Sequence, residues 1–221
     1  MLLPSFSLIS PEHDFLYIPI DKNASSRIKN ELFTNNWKLV EDIGMGIKPF
    51  ESNTFFKLAR KFAVLRDPYD RWLTGFTTFV SYQDPKFFNL PLHDLLKSAH
   101  WHITLHMLFE NCSDLEFDWH TKPQYRYFFI PGESTPNIDD LEDISFFRYD
   151  VDLTLKLQKW FKSMGLENMF NIDYYENKRS KSNLIYNNLV NFLNEHPHYK
   201  EKLMTWLQPD YEFVNSIKFV V

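Results

Sequence analysis

Two short apolar runs, each passing through a polar turn straight into a helix-forming segment, decide what this chain can become. Residues 15–20, FLYIPI, are followed by DKNASS and then by RIKNELFTNN, where Ile28 and Leu32 stand at helical spacing. Residues 61–67, KFAVLRD, lead into DPYDRWLTGFTTFVSY, with Asp67 placed as an N-cap, Pro68 at the first helical position and Asp70 in the first turn. Both units read as strand, loop, helix.

The remaining pattern is of the same kind. It predicts a helix over 92–109, strands over 125–130 (YRYFFI) and 144–149 (ISFFRY), and helices over 151–164, 182–195 and 197–207. Strands alternating with helices imply an α/β fold, a three-layer sandwich whose mostly parallel central sheet is flanked by helices on both faces. A length of 221 residues, 44% of them hydrophobic, is enough for one good core, so a single domain over 1–221 is expected. The 12 Pro and 5 Gly are scattered, with no repeat of fixed period and no low-complexity linker.

Charge and cysteine usage narrow the classes of partner. The formal net charge of −5, from 24 Lys+Arg against 29 Asp+Glu, argues against a nucleic-acid-binding surface and leaves room for a small anion in a local basic pocket. Cys112 is the one cysteine, so no internal disulfide forms. The start, MLLPSFSLISPEHD, lacks a basic n-region and is interrupted at Pro4 and Pro11, unlike a signal peptide. No apolar run approaches the roughly 18 to 20 residues of a membrane span. The expectation is a soluble, cytoplasmic protein.

In α/β folds of this type ligands sit at the carboxyl ends of the strands, which points to residues 19–27 and 66–74. The first stretch, PIDKNASS, offers Lys22, small side chains and two hydroxyls at a strand-to-helix turn. Small residues let a phosphate approach backbone N–H groups, and a helix N-terminus favours negative charge. By composition alone, Ser25 and Ser26 could equally be helix caps and Lys22 a solvated loop residue. The second stretch places Arg66 at the end of a buried strand and Thr74 eight residues on, in the next helix; Arg66 carries a fork of donors suited to phosphate. The plainer alternative pairs Arg66 with Asp67 at a helix start and puts Phe62, Val64, Trp72 and Phe76 in the core.

Together the two stretches resemble the nucleotide-binding motifs of the carbohydrate (Golgi-type, family 2) sulfotransferases, which use 3′-phosphoadenosine-5′-phosphosulfate (PAPS). IPIDKNASS resembles their 5′-phosphosulfate loop, and LRDPYDRWLTGF their 3′-phosphate motif. Ile20 and Asp21 separate Pro19 from Lys22 where the family has Pro-Lys adjacent, and Thr74 replaces the usual Ser. The resemblance implies a P-loop-like fold in which Lys22, Asn23, Ala24, Ser25 and Ser26 hold the 5′-phosphosulfate, while Arg66 and Thr74 hold the 3′-phosphate. Lys22 would also steady the leaving phosphate.

DWHTKPQYRYF (118–128) resembles the family's His-aromatic-basic-Pro-Gln stretch in His120, Lys122, Pro123 and Gln124, with Thr121 in place of the aromatic residue. On this resemblance His120 is the general base, and His100 or His102 are the alternatives. The basic loop NKRSKSN (177–183) occupies a position where the family reaches back to the nucleotide, implying Lys178, Arg179 and Ser180 as further contacts. A solvated surface loop accounts for it equally well. ISFFRYDVDLTLKLQKWFKSMGL and LQPDYEFVNSI (207–217) resemble the family's later strand-helix unit and closing helix.

His102 and His106 stand i, i+4 on one helical face with Glu110 a turn further, but no HExxH arrangement is present and no metal is assigned. The function expected is transfer of a sulfuryl group from PAPS to a hydroxyl, on a carbohydrate by family analogy, with PAP as product. A rival is a catalytically degenerate nucleotide-binding or interaction module of the same fold. A nucleoside-phosphate kinase ranks lower because no GxxxxGK[ST] occurs.

Overall fold

The structure is a computed structural model that describes residues 6–12, 14–40, 58–83, 85–87, 89–128, 141–166, 169 and 183–221. In chain order its elements begin β1 (Leu8–Ile9), β2 (Phe15–Ile18), α1 (Ser25–Thr34), β3 (Lys38–Leu39), β4 (Arg60–Leu65) and α2 (Pro68–Gln83). There follow β5 (Lys86–Phe87), β6 (Leu90–Pro91), α3 (Leu92–Lys97), α4 (Trp101–Asn111) and a 3-10 turn at Gln124–Tyr127. The chain closes with β7 (Ile144–Arg148), α5 (Leu153–Ser163), α6 (Leu184–Glu195) and α7 (Pro197–Ser216).

These elements gather into two compact units. The first comprises Met1–Asp67, Gln124–Tyr175 and Glu212–Val221, and the second Pro68–Pro123 and Glu176–Tyr211.

The first unit is built on a five-stranded sheet of order β3-β1-β2-β4-β7. Strand β4 is parallel to both neighbours, in register Phe15↔Arg60 to Ile18↔Ala63 on one side and Lys61↔Ile144 to Leu65↔Arg148 on the other. Strand β1 is antiparallel to β2 and to β3, so the sheet is mixed rather than mostly parallel. The cause is local. Ser10 Oγ accepts from the N–H groups of Asp14 and Phe15 and donates to the Asp14 carboxylate, closing a short turn, and a short connection can only return antiparallel.

Side chains alternate between two buried faces, as a pleated strand requires. Phe15, Tyr17, Phe62, Val64 and Phe147 pack with Ile28 and Leu32 of α1 and Leu157, Trp160 and Phe161 of α5. Phe62 is the hub, with ring centroids of Tyr17, Phe161 and Trp160 at 4.8, 5.3 and 5.4 Å. On the opposite face Leu16, Ile18, Ala63, Leu65 and Phe146 pack with Tyr127, Phe128, Phe213 and Val214.

The YRYFFI stretch is not a strand where it is described. Gln124–Tyr127 form a 3-10 turn, with Phe128 N–H bonded to the Tyr125 carbonyl at 3.0 Å, and Tyr127 and Phe128 cover the sheet face instead of pairing in it. Residues 129–130 lie outside the described residues.

In the second unit, α2, α3, α4, α6 and the Pro197–Tyr211 part of α7 enclose an apolar cluster that includes Trp72, Phe76, Phe109, Phe192, Leu193 and Tyr199. The helix expected over 92–109 is two helices. Ser98 turns to extended backbone and its hydroxyl accepts from the His100 N–H at 3.0 Å, a local bond that competes with helix continuation. Conversely, α7 runs unbroken from Pro197 to Ser216 and includes Pro209. No helix among the described residues is long and apolar enough to cross a membrane.

Candidate functional site

Strand β2 ends at Ile18, one rung short of where β4 still needs a partner. Even-numbered residues of β4 bond toward β2, as the Arg60 N–H does to the Asp14 carbonyl at 2.8 Å. Beyond Ile18 two side-chain amides take over that edge. Asn23 Nδ2 donates to the Val64 carbonyl at 2.8 Å and to Gln124 Oε1 at 2.6 Å. Gln124 then clips both backbone groups of Arg66, accepting from its N–H and donating to its carbonyl, each at 2.9 Å. Asn23 and Gln124 are both fully buried. Such a network leaves the backbone of 19–24 free to turn away from the sheet.

The turn is made with two left-handed residues, Lys22 (φ 67°) and Ala24 (φ 61°), which flank Asn23. Ala24 is the N-cap of α1, no side chain caps this end, and the first turn holds no acidic residue. The opening N–H groups of a helix have no partner within it, and alternating turn conformations of this kind form anion-binding concavities. Arg66 is fastened to the same turn: Nη1 donates to the Lys22 carbonyl at 3.2 Å, and the guanidinium lies 4.9 Å from the centre of the Tyr149 ring. Lys22, Ala24, Ser25, Ser26 and Arg66 therefore share one end of the first unit's sheet.

Their roles differ from a uniform ligand shell. The side chain and N–H of Asn23 are directed inward, the latter to the Ile20 carbonyl at 3.2 Å, so Asn23 shapes the loop. Ser25 is buried and Ser26 exposed, leaving Ser26 and Lys22 as the more accessible side chains of the turn.

In the second unit, Thr74 is half-buried and its hydroxyl donates to the Asp70 carbonyl of its own helix at 2.8 Å. His120 is organised by the residue two before it. Asp118 accepts from the His120 backbone N–H at 2.9 Å and from ring Nδ1 at 2.6 Å. Trp119 Nε1 donates to Nε2 at 3.0 Å, which fixes the proton on Nδ1 and the lone pair on Nε2. Both the His120 and Asp118 side chains are only slightly exposed, 13% and 14%. Thr121 Oγ1 draws in the N–H groups of Phe117 and Asp118.

Helix α2 holds this turn through three residues. Arg71, itself buried, donates to the Lys122 carbonyl at 2.5 Å, Trp72 Nε1 donates to the Leu115 carbonyl at 2.9 Å, and Gly75 packs on the His120 carbonyl. The Arg-Asp-Pro run thus supplies Arg71 and Trp72 as structural ties.

No protein family, curated protein or solved structure matches the chain in comparison.

His100 is an exposed residue at the start of α4, and His102 packs among other histidines of the second unit. Lys178, Arg179 and Ser180 lie outside the described residues. Sequence reading missed Asp118 as the partner of His120 and gave Gln124 no role at Arg66. The Asp-x-His spacing was the available signal for the first; the second needs the fold.

Proposed function

We propose that this chain is a PAPS-dependent sulfotransferase of P-loop-like α/β fold, moving a sulfuryl group to a hydroxyl acceptor, a saccharide hydroxyl by the resemblance. The observation that carries the reading is the turn at residues 21–24. Two left-handed residues lead from a buried parallel strand into a helix with no capping side chain, and Arg66, the residue after β4, is bonded to that turn.

A helix start of this kind favours an anion, and Lys22 adds an ammonium to the turn. In the reaction the acceptor oxygen bonds to sulfur as the bond from sulfur to the bridging oxygen breaks, and negative charge collects on that oxygen. Lys22 and the turn's N–H groups stabilise it and PAP departs, and the resemblance gives His120 the acceptor proton, for which its Nε2 carries the lone pair. Asp118 supports the imidazolium that results. Thr74 and Arg66 keep the 3′-phosphate role that the resemblance gives them.

Two hydrogen bonds favour a second reading, a catalytically degenerate nucleotide-binding module. Trp119 already donates to His120 Nε2, and the Thr74 hydroxyl is directed to its own helix. Calorimetric titration with PAP, and with AMP as the control lacking the 3′-phosphate, tests the nucleotide site shared by both readings. Saturable PAP binding with much weaker AMP binding supports it; no binding of either overturns it. Sulfuryl transfer from PAPS to a panel of saccharides then separates enzyme from module.

A further inference from the structure

The second unit brings together three histidines from distant parts of the chain. His102 and His106 lie one turn apart on α4, and His196 stands at the junction of α6 and α7. Each offers one ring nitrogen, and the three nitrogens lie within 4.8 Å of one another. The ring centroids of His102, His106 and His196 are 4.4 to 4.8 Å apart pairwise. Phe192 backs all three rings, at 5.4, 5.0 and 4.6 Å.

The supporting bonds are those of a ligand set. Tyr199 donates its hydroxyl hydrogen to Glu110 at 2.5 Å, and the same oxygen lies 3.1 Å from His106 Nδ1. With the phenol hydrogen committed to Glu110, Nδ1–H of His106 is the donor to the Tyr199 oxygen. That leaves Nε2 of His106 as the lone pair. His102 Nε2 and His196 Nε2 face each other at 2.8 Å, and Glu195 Oε2 stands 3.8 Å from the former.

We propose that His102, His106 and His196 bind a divalent transition metal of the zinc class through ring nitrogens, with Glu195, 3.8 Å from His102 Nε2, as the fourth ligand. Imidazole suits zinc, copper and nickel, and zinc sits about 2.0–2.1 Å from histidine nitrogen in tetrahedral sites. That geometry sets nitrogens roughly 3.4 Å apart, between the 2.8 Å that separates His102 Nε2 from His196 Nε2 and the 4.8 Å that bounds the three nitrogens. The His106–Tyr199–Glu110 chain orients one ligand from behind, as outer partners of metal-bound histidines do. The three rings are half-buried, so an ion has access from solvent. The site joins α4 to the α6–α7 junction, and it stands independently of the sulfotransfer reading.

The test uses the full chain without an affinity tag, stripped with chelator and titrated with Zn²⁺ by calorimetry and with Co²⁺ by visible spectroscopy. One ion per chain and a Co²⁺ spectrum of tetrahedral type are expected. H102Q and H196Q should each weaken binding by more than the roughly 10- to 100-fold that loss of a supporting partner brings, and Y199F should fall within that range. A second measurement needs no variant. With diethyl pyrocarbonate and mass-spectrometric mapping, Zn²⁺ should protect His102, His106 and His196 while His93 and His198 stay reactive. Absence of stoichiometric binding by the wild type, unchanged binding by folded H102Q and H196Q, or protection of a different set of histidines overturns the site.

Discussion

The backbone of α2 at Gly75 rests on the carbonyl of His120 so closely that a β-carbon added there would overlap its oxygen and lie 2.7 Å from its carbon. Both sides of this contact are backbone, so neither can swing away. Gly75→Ala should therefore cost about 1–3 kcal/mol of stability through forced displacement of the 118–122 turn, read as a lower urea midpoint. An unchanged midpoint would mean that the turn is not seated on α2 as described.

His120 and Asp118 make a paired prediction within the sulfotransfer proposal. Replacing His120 with Gln should lower the transfer rate by roughly 100-fold or more while PAP affinity holds, because a base acts on the acceptor proton and not on the nucleotide. Asp118→Asn should lower the rate in the same direction by loosening the ring that Asp118 orients. Equal losses of PAP binding and rate would mark the turn as structural.

Lys22→Ala and Arg66→Ala should each weaken PAP binding by at least ~10-fold, the order of one lost charge-assisted contact. Calorimetry on both variants, with far-ultraviolet circular dichroism to confirm folding, checks this. Wild-type affinity in both would place the nucleotide elsewhere.

Gln124 holds the N–H and the carbonyl of Arg66 at once. Gln124→Ala leaves those groups, and Asn23 Nδ2, short of a buried partner and should cost about 1–3 kcal/mol. Gln124→Glu keeps an acceptor for the N–H yet turns a carboxylate toward the Arg66 carbonyl, so it should not restore the lost stability. Urea unfolding of the two variants beside wild type decides the point.

Lys61 gives the pH dependence. Its side chain is 2% exposed, and burial lowers its pKa from the ordinary 10.5 despite the opposing pull of Asp143 at 3.7 Å. Between the lowered value and 10.5 the unfolded chain binds more protons than the folded one, so this group makes stability rise as pH rises through that interval. Lys61→Met should flatten the rise, seen as a smaller gain in urea midpoint between neutral pH and about pH 9.5.

The strands and helices that carry long apolar runs were legible in the sequence. β2 and β7 fall inside 15–20 and 144–149, and β4 begins one residue before the 61–67 stretch and ends within it, because both faces of each are buried, which writes nearly continuous hydrophobicity into the chain. β1 and β3 are two residues each, too short to show a period, and their antiparallel pairing makes the sheet mixed. YRYFFI misled because apolar residues on a 3-10 turn covering a sheet look like a strand by composition.

The site was legible to the extent that chemistry sits next to itself in the chain. The loop after β2 and Arg66 at the end of β4 are local features, and the fold brings them to one end of a sheet. Asn23, expected among the nucleotide contacts, is a buried brace, since only the tertiary fold reveals that Val64 and Gln124 need its amide. His196 could not be paired with His102 by spacing, because 94 residues separate them.

The amide brace between Asn23 and Gln124 spans 101 residues of chain, and the clip on Arg66 spans 58. Contacts so distant in sequence are made only when long stretches of chain have been brought together. The turn at 21–24 thus depends on the segment carrying Gln124 as well as on the pairing of β2 with β4. An anion held by that turn would accordingly bind only chains whose first unit is complete, making occupancy of the turn a report on maturation of the fold as well as on the ligand.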